Sequence, residues 1–109
     1  MQDITTIKNT IIPIAKSYGV KRVYLFGSYA KGTATEESDI DLLIEKGKPM
    51  SLLMLSGMRE KIQAELNISV DLVTTAGIES NFKKEIEGEQ ILIFDSSFDI
   101  NADSNPEEN

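Results

Sequence analysis

Apolar residues recur at three- and four-residue steps over residues 3–18, where Ile4, Ile7, Ile11, Ile14 and Tyr18 form one stripe. That period predicts a helix. Pro13 is expected to kink or restart it, and Gly19 to end it. Residues 20–26 (Val-Lys-Arg-Val-Tyr-Leu-Phe) read as a strand running into Gly27-Ser28, and Tyr29-Ala30-Lys31-Gly32 as the first turn or two of a short helix. After a polar loop at residues 33–37, residues 38–44 alternate polar and apolar, which predicts a half-buried strand closed by the turn Lys46-Gly47-Lys48-Pro49. Residues 51–66 give the clearest amphipathic helix, with Leu55, Met58, Ile62 and Leu66 on one stripe. A third strand at 68–74, a helix at 78–87 and a strand at 90–94 complete the order. Residues 96–109 have too little apolar content to pack and read as a mostly disordered tail.

This alternation predicts an α/β (α+β) fold, a small mixed β-sheet of about four strands flanked by helices. The chain of 109 residues suits one domain, placed at residues 1–95, with the acidic tail at 96–109. The formal charge of −7 is uneven, because Asp95, Asp99, Asp103, Glu107 and Glu108 leave only −2 for residues 1–94. An acidic chain is repelled by a polyanion, so no direct nucleic acid partner is expected. Cysteine and histidine are absent, which excludes disulfides, thiolate or imidazole zinc sites and Ser-His-Asp chemistry. No apolar run reaches the length of a membrane span, and Met1-Gln2-Asp3 begins no signal peptide, so a cytoplasmic location is expected. Leu52-Leu53-Met54-Leu55, apolar all round, exceeds what one buried face needs. It fits a dimer or partner contact, or equally simple burial.

The candidate chemistry lies in the strands. Asp39 and Asp41 alternate with Ile40, Leu42 and Ile44, so both acids point away from the core. Two residues along a strand span roughly 6–7 Å, which lets both carboxylates reach a metal pair about 3.5–4 Å apart. Two solvated surface acids are the alternative, but like charges on one strand face repel, and strands disfavour Asp. Calcium would need an Asp-x-Asp-x-Asn/Asp-Gly loop that is not here, so magnesium held with nucleotide phosphates is preferred. Asp71, flanked by Val70 and Leu72, adds a third carboxylate to that face. Gly27 permits close approach of a phosphate to the backbone at a helix start. Ser28 there either adds a hydroxyl donor or caps the helix. Lys31 is either a phosphate contact or an ordinary surface charge.

Gly27-Ser28, ten residues, then Asp39-Ile40-Asp41 resembles the signature of the minimal nucleotidyltransferases of the DNA polymerase beta-like superfamily. Phe26-Gly27-Ser28-Tyr29-Ala30-Lys31-Gly32 and Val70-Asp71-Leu72-Val73 are also similar, and the likeness spans roughly residues 3–95. Lys31 departs from the arginine of many relatives and lacks its bidentate fork.

The resemblance implies a nucleotidyltransferase fold and transfer of AMP from ATP to a hydroxyl. In that reading Asp39, Asp41 and Asp71 hold two Mg2+ ions, while Gly27, Ser28 and Lys31 contact the nucleotide. Chains of this size resemble antitoxins of two-gene modules that adenylylate a tyrosine of a HEPN ribonuclease toxin. The short chain leaves no room for an acceptor domain, which fits an acceptor on a partner protein. A homodimer or a hetero-oligomer with the toxin is compatible with this reading. Two alternatives stand beside it: an antitoxin that acts by stoichiometric binding without catalysis, and a small-molecule nucleotidyltransferase that modifies antibiotics.

Overall fold

A computed structural model describes residues 2–74 and 90–97. Its elements run α1 (Ile4–Tyr18), β1 (Arg22–Phe26), α2 (Ser28–Lys31), β2 (Ile40–Glu45), α3 (Leu52–Leu66), β3 (Val70–Thr74) and β4 (Ile91–Asp95). The helix expected at 78–87 and the tail from residue 98 onward lie outside the described residues. No helix among the described residues is long and apolar enough to cross a membrane.

Both long helices carry their own start and stop signals. Asp3 caps α1 by accepting from the Thr6 amide at 2.8 Å, and Ser51 caps α3 by accepting from the Met54 amide at 3.1 Å. Gly19 (φ 72°) and Asn67 (φ 58°) end them in the left-handed conformation. Helix α1 runs unbroken through Pro13 rather than restarting there. Pro13 sits on the exposed side, and the amide it removes would have bonded the carbonyl of Asn9, another exposed residue.

The strands join in the order β3-β2-β1-β4, with β1 antiparallel to both neighbours and β2 parallel to β3. Helices α1 and α3 cover one face of this mixed sheet. Ile7, Ile11, Met58 and Ile62 from the helices meet Val23, Leu25, Ile40, Leu42, Ile44 and Val70 from the strands in one buried cluster. The opposite face is not the purely polar one that alternation predicts. Leu43 and Phe26 are buried there, with Tyr24 and Val73 against them. The run Leu42-Leu43-Ile44 therefore belongs to a central strand buried on both sides.

On that second face Arg22 ties three strands together. It donates to Glu45 at 2.7 Å and to Asp95 at 3.2 Å, its register partners on β2 and β4. Asp95, grouped by sequence with the unbalanced acids of the tail, thus has a cation partner. The first residues of the expected tail are also held, since the Ser96 amide donates to the Lys21 carbonyl at 2.9 Å and the Ser97 amide to Asp95 at 2.9 Å.

Burial separates the two ends of α3. Ile62 is fully buried, whereas Leu52 and Leu53 are 83% and 81% exposed, so simple burial within the described residues does not explain the apolar start of α3. Ile62→Ala is expected to cost about 2–5 kcal/mol in urea unfolding, through lost burial plus a residual cavity. Leu53→Ala is expected to stay within about 0.5 kcal/mol.

Candidate active site

Register brings the three acids to one end of the sheet. Phe26, the last residue of β1, faces Asp41 across the antiparallel pair, and Asp71 lies directly beside Asp41 in the parallel pair. Asp39 precedes β2 by one residue, so it sits at the strand's entrance rather than inside it as the alternation suggested. The Ile40 amide donates to the Ser69 carbonyl at 2.9 Å, and the Val70 amide to Gln63 Oε1 on α3 at 3.0 Å. These bonds fix where β2 and β3 begin, and with that the position of each carboxylate.

The ten residues between Ser28 and Asp39 are spent on two closed turns. Helix α2 ends at Gly32 (φ 80°), with the Thr33 amide on the Ser28 carbonyl at 3.0 Å. A second turn follows, in which Ser38 Oγ accepts from the Thr35 amide at 2.8 Å and the Ser38 amide donates to the Thr35 carbonyl at 3.1 Å. Asp39 leaves that turn directly into the site.

Gly27 does more than admit a phosphate. Its backbone (φ 75°, ψ −155°) is in a region open essentially to glycine alone. A Cβ placed there would lie 3.1 Å from Asp41 Cγ and closer still to a carboxylate oxygen. The missing side chain of Gly27 is the space that the Asp41 carboxylate occupies. Sequence reasoning found both residues and missed this contact; the constant Gly-to-Asp spacing is the only sequence signal of it.

Gly27 is also the N-cap of α2, which makes Ser28 the first helical residue rather than the cap. Among the described residues the Ser28 hydroxyl has no hydrogen-bond partner. Ala30 and Lys31 both donate their amides to the Gly27 carbonyl, while the amides of Ser28 and Tyr29 have no backbone acceptor among the described residues. Lys31 is exposed at the far end of the helix.

Asp41 is half-buried, whereas Asp39 and Asp71 are exposed. Burial, then the charge of Asp71, then that of Asp39 hold the Asp41 carboxyl above the usual carboxylate range. Among the described residues no lysine or arginine pairs with any of the three acids. Nor are the three side chains drawn into a ready-made ligand set. Like charges with no cation between them repel, so convergence needs a cation. The donor set, carboxylate oxygens only, suits a hard divalent ion such as magnesium.

The profile of the nucleotidyltransferase domain family matches residues 8–93. The Methanocaldococcus jannaschii protein MJ0435 is 40% identical over 89 residues, covering 82% of this chain and 96% of its own. The protein adenylyltransferase MntA of Thermococcus cleftensis is 32% identical over 80 residues, covering 73% and 81%. The chain belongs to the nucleotidyltransferase domain family. The fold also matches the solved complex of a tri-AMPylated HEPN toxin with its MNT antitoxin from Shewanella oneidensis (TM-score 0.68, 19% identity, 90% of this chain and 77% of that one).

Two substitutions test the geometry of this nucleotidyltransferase. Gly27→Ala is expected to lower stability by on the order of 1–3 kcal/mol from backbone strain alone, and to displace the Asp41 carboxylate. Urea unfolding reads the first effect and loss of transferase activity the second. Asp41→Asn works in the opposite direction on stability. A carboxyl whose folded-state pKa is raised destabilises the fold as pH rises from its ordinary value through the raised one. The variant is therefore expected to melt higher than the parent in EDTA near neutral pH, with the gap closing as pH falls through the carboxylate range.

Proposed function

We propose that this nucleotidyltransferase transfers AMP from ATP to a tyrosine hydroxyl of a HEPN toxin and so acts as that toxin's antitoxin. The observation that carries the reading is the in-register pair Asp41–Asp71 beside Gly27, with Asp41 held above its usual pKa and all three acids lacking a cation among the described residues. The name of the Thermococcus relative and the subject of the Shewanella complex support the choice of adenylyl group and partner. The net charge of −7 favours a protein acceptor over a nucleic acid.

In the proposed reaction the tyrosine oxygen attacks the α-phosphorus of ATP. The new O–P bond forms as the bond from the α-phosphorus to the bridging oxygen breaks, and pyrophosphate leaves. Asp71, exposed at the site, takes up the hydroxyl proton. Asp39 and Asp41, with Asp71 on the acceptor side, would hold two Mg2+ ions, which when bound neutralise the triphosphate and the charge developing on the attacking and leaving oxygens. The unpaired amides of Ser28 and Tyr29 and the Ser28 hydroxyl donate to the β and γ phosphates. Lys31 adds a positive charge near that turn.

The test is intact mass of the toxin after incubation with a small amount of this protein, magnesium and each nucleoside triphosphate in turn. Adenylyl units are expected with ATP only, at a rate lowered by on the order of 10²-fold or more in Asp41→Asn, with none in EDTA. An unmodified toxin held in a stoichiometric complex would instead establish neutralisation by binding alone.

A further inference from the structure

At the end of the sheet opposite the carboxylates, lysines gather beyond the cluster of Arg22 with Glu45 and Asp95. From Gly27 back to Lys21 is ~20 Å along β1. There the turns after α1 and β2 and the end of β4 enclose a cleft of about 540 Å3. Among the described residues Lys16, Lys21 and Lys48 line it and no acidic residue does, in a chain with a formal charge of −7.

Two glycines border the cleft. A Cβ on Gly19 would lie 2.8 Å from Lys48 Cε and 3.0 Å from its Nζ, and one on Gly47 would lie 3.4 Å from the Gly19 carbonyl. The exposed Lys48 side chain thus lies beside the backbone at the end of α1, with no carboxylate partner among the described residues. Lys21 reaches Glu45 only at 3.9 Å. Favourable charge at a helix C-terminus accounts for the sign of these side chains. It does not account for an open cavity between them, bounded by the apolar Val20 and Phe94.

We propose that this cleft is a second anion site, separate from the carboxylate site, and that it takes a compact polyphosphate, either free or as part of a nucleotide. Its volume lies in the range of small-molecule sites. Lysine ammoniums act as point charges suited to phosphate oxygens.

The test is an NMR titration of the isotope-labelled full chain in EDTA at constant ionic strength, with inorganic tripolyphosphate in one arm and ATP in the other. Removing divalent cations disfavours nucleotide binding at the carboxylates. Saturable shifts are expected at the amides of Gly19, Lys21, Gly47 and Lys48. Lys21→Gln with Lys48→Gln, both exposed positions, is expected to weaken binding about tenfold or more. Lys48→Gln alone gives a smaller loss in the same direction. ATP binding more tightly than tripolyphosphate would identify a nucleotide as the ligand, and equal affinities the polyphosphate itself. Shifts confined to Gly27–Lys31, shifts that never saturate, or an unchanged affinity in the double variant would overturn the proposal.

Discussion

The parallel pairing of β2 with β3 is the constraint on which the candidate site depends. It places Asp71 directly beside Asp41, and a one-residue slip would turn one of them into the core. Burial of the Asp41 carboxylate, and after it the charge of Asp71 alongside, oppose folding, and both raise the pKa of Asp41. The arrangement persists because Ile40, Leu42, Ile44 and Val70 on the other side of the same strands are buried against α1 and α3. Hydrophobic burial on one face holds in place an electrostatic conflict on the other.

Backbone bonds from outside the sheet make that conflict geometrically exact enough to use. Gln63 on α3 accepts the Val70 amide, and the Ser69 carbonyl accepts the Ile40 amide, so the two strand starts are set relative to α3 and to each other. Gly27 then leaves the volume into which Asp41 turns. At the opposite end Arg22, bonded to Glu45 and Asp95, joins the three strands β2, β1 and β4. The sheet thus has one end where an arginine links two acids and one where, among the described residues, no cation lies between the acids, and the transfer chemistry belongs at the second. In the proposed transfer, the cations that accompany a triphosphate would supply the missing positive charge.

Much of this was legible from residue order. Helical spacing, with Gly19 as the stop of α1, located α1 and α3 to within a residue, because stripes and caps are local properties. The signature from Gly27 to Asp41, with Asp71, named the candidate site residues and pointed to the family that the comparisons show. Less legible were features that depend on neighbours distant in the chain. Leu43 is buried on the acid's own face, Asp95 pairs with Arg22, and Asp39 stands just outside its strand. Pro13 does not restart α1, because its exposed position lets the helix continue past it.

By itself the sequence determined the types of the described elements, the mixed α/β class, the family and three candidate acids, since each is written in short-range periodicity or a fixed spacing. Only the tertiary structure decided which strands are neighbours, that Asp41 occupies the space Gly27 leaves empty, and that lysines from separate turns meet at one cleft. Those facts arise from contacts between residues far apart in the chain, whose geometry is set when the sheet closes on its helices, and local sequence preferences carry no record of it.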